Sequence, residues 1–150
     1  MDIPGAERLV RVFGRWPSFH DAEVVDLRLE RRGRDDFEGP VLLARFHLFR
    51  GRKDPSRAGG VRWEDHTLAT LRFGCVHHLS IAGFNHQNAI LDLHIETLEA
   101  GAHPASPSLP AYRVAFEPSF GVGASFLCAS VEVVDVAPGC PPGSVYGDAP

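Results

Sequence analysis

The chain has 150 residues, 44% of them hydrophobic and 23% charged, which suits one domain that buries its own core without disulfides or metal. Fifteen basic against 19 acidic residues leave a net charge of −4, and this excludes nucleic acid as the expected partner, since neutralising phosphates needs a basic excess. The charge is uneven: residues 1–58 hold 12 basic and 10 acidic side chains, whereas residues 59–150 hold 3 and 9.

In chain order, residues 5–14 place Leu9, Val12 and Phe13, with Trp16 beyond, on one stripe of helical spacing, and Gly14 and Pro17 stop it. One short amphipathic helix is expected there. Residues 23–31 alternate Val25, Leu27 and Leu29 with polar neighbours, the pattern of a strand with one wet face. Residues 41–49 set Leu42, Ala44, Phe46 and Leu48 against a second face of Val41, Leu43, Arg45, His47 and Phe49, which is also partly apolar. Five further short segments, at 67–73, 76–82, 90–95, 112–117 and 125–136, are β-branched or aromatic and bounded by turn residues.

About seven strands without helical runs between them leave no material for parallel crossovers. The expected fold is therefore mainly β: an antiparallel sandwich or strongly bent sheet with one short N-terminal helix, or else an α+β layout with the helix across a single sheet. Residues 51–60 and 101–110, rich in Gly, Pro and charge, read as long loops within one domain at 1–137. Residues 138–150 carry four prolines and three glycines and read as a poorly packed tail.

No stretch approaches the roughly 18–20 apolar residues of a membrane span, and neither a secretory signal nor a lipidation signal is present. The expectation is a cytoplasmic protein with no membrane partner. Cys75, Cys128 and Cys140 form an odd set without metal-ligand spacing, so buried reduced thiols are expected and no cofactor or metal is signalled.

Eight histidines invite a catalytic reading. His20 and Asp21 form an adjacent pair of the kind found in metal-dependent hydrolases, but no helical partners follow to complete such a site, and a capping role at the strand entry accounts for both. His77 and His78 are consecutive and point to opposite faces of a strand, so they cannot share one ion. His47, His66, His86 and His94 could combine only across strands. Residues 120–126 lack both the third glycine of a phosphate loop and the serine elbow of a hydrolase, which leaves a hairpin turn. Two alternatives to a pure binding role stay open: a metal-dependent hydrolase using His20, Asp21 and strand histidines, and a small-ligand pocket between sheet and helix.

Two blocks stand out, residues 16–24 (WPSFHDAEV) and residues 83–88 (GFNHQN). With Arg72-Phe73 leading into the second block, and Phe126 and Cys128 on a late strand, the chain resembles the immunity protein 50 family of bacterial polymorphic toxin systems over roughly residues 9–135. The resemblance implies a non-catalytic protein that binds and neutralises a cognate toxin domain. Trp16, Phe19, His20, Asp21, Glu23, Phe84, Asn85 and Asn88 are the candidate binding or structural residues of the two blocks. The acidic excess after residue 58 would suit a basic toxin surface.

Overall fold

The computed structural model describes residues 2–35 and 38–147. Among them are one α-helix, α1 (Ala6–Phe13), and eight strands: β1 (Glu23–Glu30), β2 (Val41–Lys53), β3 (Val61–Gly74), β4 (His77–Ala82), β5 (Ala89–Thr97), β6 (Tyr112–Phe120), β7 (Gly123–Cys128) and β8 (Ser130–Pro138). All pairings are antiparallel. The strands form one sheet in the order β4-β7-β6-β5-β1-β2-β3-β8, and it is strongly bent, since rings on β2 and β3 touch rings on β6 and β7. The bend lies between β1 and β5, which share a single register pair, Glu23 with Ala89. Each side of the bend is a four-stranded half with an apolar inner face.

The halves close on each other through aromatic contacts between strands far apart in the sheet. Phe46 of β2 meets Phe116 of β6 edge-on with centroids 5.3 Å apart, and Phe73 of β3 meets Phe126 of β7 at 5.0 Å. Aromatic pairs in this geometry contribute about 0.5–1.5 kcal/mol each beyond the area they bury. Leu42, Ala44, Phe46 and Leu48, the face expected to point inward, are all buried.

The helix is where its periodicity places it, ended by Gly14 in the left-handed conformation, whose amide donates to the Val10 carbonyl. Its apolar stripe is narrower than the spacing suggests, because only Leu9 is buried while Val12 stays exposed. The chain is docked tightly at the helix N-terminus. The Val133 amide donates to the Pro4 carbonyl at 2.8 Å, and a Cβ at Gly5 would stand 2.1 Å from the Val133 carbonyl oxygen.

Four expectations change. The segment at 125–136 is two strands, β7 and β8, on opposite sides of the bend, and the Ala129 amide donates to the Gly74 carbonyl at the crossing. Buried positions shift from even (Ala124, Phe126, Cys128) to odd (Val131, Val133), so the parity change marks the break that no Gly or Pro announces. The loop placed at 51–60 is shorter, since β2 runs to Lys53. The tail is not loose over its described part: Gly139 donates to the His66 carbonyl, and Tyr146 stacks on Phe49 with centroids 4.1 Å apart. Of the three cysteines, Cys75 and Cys128 are buried but Cys140 is exposed, and burial pushes the Cys128 thiol up to about 12.

Candidate functional site

The two sequence blocks meet at the bend. The Val24 amide donates to the Asn88 carbonyl at 2.8 Å, and the Ile90 amide donates to the Ala22 carbonyl at 3.0 Å. Asn88 is buried and works as a four-way clamp. Its Oδ1 accepts from the Asn85 amide at 2.9 Å and the Val122 amide at 3.2 Å, while its Nδ2 donates to the Asn85 carbonyl at 2.8 Å and, at a longer 3.5 Å, to the Val24 carbonyl. A side chain with two acceptor sites and two donors fits this position because it meets two backbone amides and two backbone carbonyls at once. Asn85 shapes the loop itself, accepting from the Gln87 amide and donating to the Gly83 carbonyl.

In the first block, Phe19 is fully buried against Phe46 at 5.2 Å, and half-buried Trp16 rests on Phe19 at 5.6 Å. His20 and Asp21 lie on the turn that follows, with Asp21 at φ 65°. Their side chains pair with each other at 3.1 Å in solvent, and the helix end is satisfied by Gly14 instead of by this pair. The second block leaves Phe84 exposed at 48%. Glu23, Phe84, His86 and Asn88 from the blocks, together with Pro141 and Ser144 from the tail, line a cleft of about 240 Å³.

Beside this cleft lies a polar cluster on the outer face of the sheet. Register sets Glu23 of β1 opposite His47 of β2, and their side chains join at 2.6 Å between Oε2 and Nδ1. His66 arrives from β3 through a bulge: two residues, Asp65 and His66, lie between the partners of Leu48 and Arg50, where β2 has only Phe49. Asp65 takes the positive φ of 56° that the bulge requires. The His47 Nε2 and His66 Nδ1 atoms then stand 3.0 Å apart. Ser144 of the tail donates to Glu23 at 2.7 Å. Burial alone would raise the Glu23 carboxyl, but hydrogen bonds from His47 and Ser144 outweigh it and hold the group below its usual value.

Outer-face residues are normally wet, yet His47 is fully buried. Residues 139–147 cover it, anchored by Tyr146 between Phe49 and Trp63, whose centroids lie 5.3 Å from Tyr146 on the Trp63 side. Among the described residues, two groups bring His and Cys donor atoms within 4.8 Å of one another: His47, His66 and Cys140, and Cys75, His77 and His103. Neither includes His20 or Asp21. Nor does His94 join the strand histidines; it pairs in solvent with Glu117 at 2.8 Å, and that hydrogen bond raises its basicity. Between helix and sheet, where a ligand pocket was an open expectation, runs a mostly apolar groove of about 360 Å³ lined by Ile3, Ala6, Val10, Trp16, Leu93 and Ile95, with Asp2 also on its wall.

In the sequence His47 and His66 are legible only as strand histidines and Cys140 only as a thiol expected to be buried, and no motif there marks Ser144 or Tyr146. The available signals were the parity of His47 and Phe49 on the non-core face of β2 and the lone Tyr146 in a Pro- and Gly-rich tail.

The fold and its sites define a bent-sheet, mainly β protein with a surface cleft at the junction of its two sheet halves. The chain belongs to the Immunity protein 50 family, whose model matches residues 5–139. No curated protein and no solved structure matches it.

Proposed function

We propose that this chain is an immunity protein in the literal sense: it binds a cognate toxin domain in the cytoplasm of the cell that makes the toxin and blocks it without catalysis. The observation that carries this reading is the family match over residues 5–139, nearly the whole chain. The cleft at the bend is the contact surface we favour, because both unusual sequence blocks converge on it. An exposed Phe84 beside polar loop groups is the arrangement of a binding anchor with a polar surround. Acidic side chains that predominate after residue 58 would speed encounter with a basic toxin and disfavour acidic ones.

The test is to identify a toxin domain encoded by a gene neighbouring that of this chain and to co-express the two, reading both cell survival and co-purification. Survival with a stable complex is the expected result. Phe84→Asp should keep the fold and weaken binding by about tenfold or more, as loss of a central aromatic anchor does. Failure of the wild-type chain to bind or protect against that neighbour would overturn the proposal.

A further inference from the structure

We propose that His47, His66 and Cys140 form a binding site for a zinc-class metal ion that staples the C-terminal tail to the outer face of the sheet. The donors come from three separate places, β2, the β3 bulge and the tail, and all three ligating atoms lie within 4.8 Å of one another. Two imidazoles and a thiolate are the donor set that zinc prefers, at about 2.0–2.1 Å for nitrogen and 2.3 Å for sulfur.

The arrangement around His47 is that of an oriented metal ligand. Glu23 holds Nδ1 at 2.6 Å, so the other nitrogen, Nε2, is aimed at His66. A carboxylate behind a ligating imidazole fixes the tautomer and the ring direction and increases basicity. Two nitrogens sharing a tetrahedral ion at those bond lengths are about 3.3 Å apart, against 3.0 Å here, so a shift of a few tenths of an ångström admits the ion. Binding releases the Cys140 thiol proton to solvent, while the proton between the two imidazoles passes to the outer nitrogen of His66, so that both ligating rings stay neutral. With three protein donors, the fourth tetrahedral position is left for water.

The second cluster lacks this character. His103 commits both ring nitrogens to backbone, Nε2 to the Cys75 carbonyl at 3.0 Å and Nδ1 to the Ala105 amide at 3.1 Å. His77 Nδ1 also meets the Cys75 carbonyl, at 3.2 Å. By contrast, the Cys140 thiol has a long 3.8 Å contact with the Pro141 carbonyl, a weak interaction that a metal–thiolate bond readily replaces.

Cys140 follows directly on the last residue matched by the family model. The tail donor therefore lies just outside the matched residues while His47 and His66 lie within them, and the staple would stiffen the wall that Pro141 and Ser144 contribute to the cleft. The inference does not depend on toxin binding.

The experiment uses the full chain without an affinity tag, stripped by chelator and titrated with cobalt(II) and then zinc. One cobalt per chain, with thiolate-to-cobalt charge-transfer absorption that zinc abolishes, is expected. Cys140→Ser, at an exposed position, should remove that absorption and weaken binding by about 10–100-fold, while His77→Ala should leave both unchanged. Circular dichroism checks that each variant is folded. Absence of the thiolate band in the wild-type chain, its survival in Cys140→Ser, or its loss in His77→Ala would each overturn the proposal.

Discussion

Glu23 and His47 face each other across β1 and β2 on the side of the sheet away from the core, joined at 2.6 Å and sealed from water by the tail. A buried charge-assisted hydrogen bond of this kind is worth more when intact than its net contribution suggests, because either partner alone is left desolvated. Glu23→Gln keeps the shape and removes the charge, and it should lower stability by about 1–3 kcal/mol in urea unfolding. A change below about 0.5 kcal/mol, the scale of an ordinary surface substitution, would show that the pair is not coupled to folding.

The tail's seal can be opened separately. Tyr146→Ala removes the ring lying on Phe49 and Trp63 and should cost about 1–3 kcal/mol, less than a full core aromatic because the ring is half-buried. The His47 ring, buried in the intact protein, should then become open to solvent. Proton NMR of the imidazole resonances reads this directly, and an unchanged His47 environment would contradict the seal.

At the bend, Asn88→Ala removes a clamp whose four partners are backbone groups. Each buried donor or acceptor left unsatisfied costs about 1–3 kcal/mol, partly relieved by water, so a loss of about 2–4 kcal/mol is expected. Phe84→Asp, at the exposed tip of the same loop, should change stability by less than about 0.5 kcal/mol. The contrast between the two, measured by thermal unfolding, separates the structural from the surface part of the block.

Acid should weaken the fold through Glu38. Arg72, almost fully buried at the end of β3, is held by the Glu38 carboxylate at 2.5 Å, with Glu132 at 3.7 Å. Burial would raise the Glu38 carboxyl, but Arg72 and the Arg34 amide outweigh it, so the group titrates below its ordinary 4.5. A depressed folded-state value means that the pair's contribution is complete above the unfolded value and is lost as pH falls through the folded one. Glu38→Gln should therefore cost about 1–3 kcal/mol at pH 7, between the exposed and buried limits for ion pairs, and the difference from wild type should shrink below about pH 4. A pH-independent difference would rule out this linkage.

The core tests the closure of the sheet. Phe116 of β6 contacts Phe46 and Phe73 across the bend and Phe126 of the neighbouring β7, so Phe116→Ala should cost about 3–5 kcal/mol in chemical unfolding. A loss under 1 kcal/mol would mean that the two halves do not depend on this contact.

Much of the fold was legible in the chain itself, for a local reason. Period-2 alternation decides which side chains can share a face, so Leu42, Ala44, Phe46 and Leu48 declare one inner face before any partner strand is known. The helix boundaries likewise follow from Gly5 and Gly14, which flank an amphipathic stretch. The absence of crossover material implied antiparallel pairing. The break at Ala129 is hidden in the sequence because both flanking runs are apolar and only their parity changes.

The sites were legible as residue blocks and not as geometry. Nothing in their sequence separation says that Val24 and Asn88 share a hydrogen-bonded bend, or that His47, His66 and Cys140 converge. Such contacts depend on strand register, on a one-residue bulge and on where a tail settles, and these follow from packing over the whole sheet. A mainly β chain with an acidic later part and a wet face on residues 23–31 is readable before any long-range contact is known, because composition and side-chain alternation are local properties. Tertiary packing alone buries His47 on the second face of β2, because residues 139–147, distant in the chain, settle against it and against Phe49.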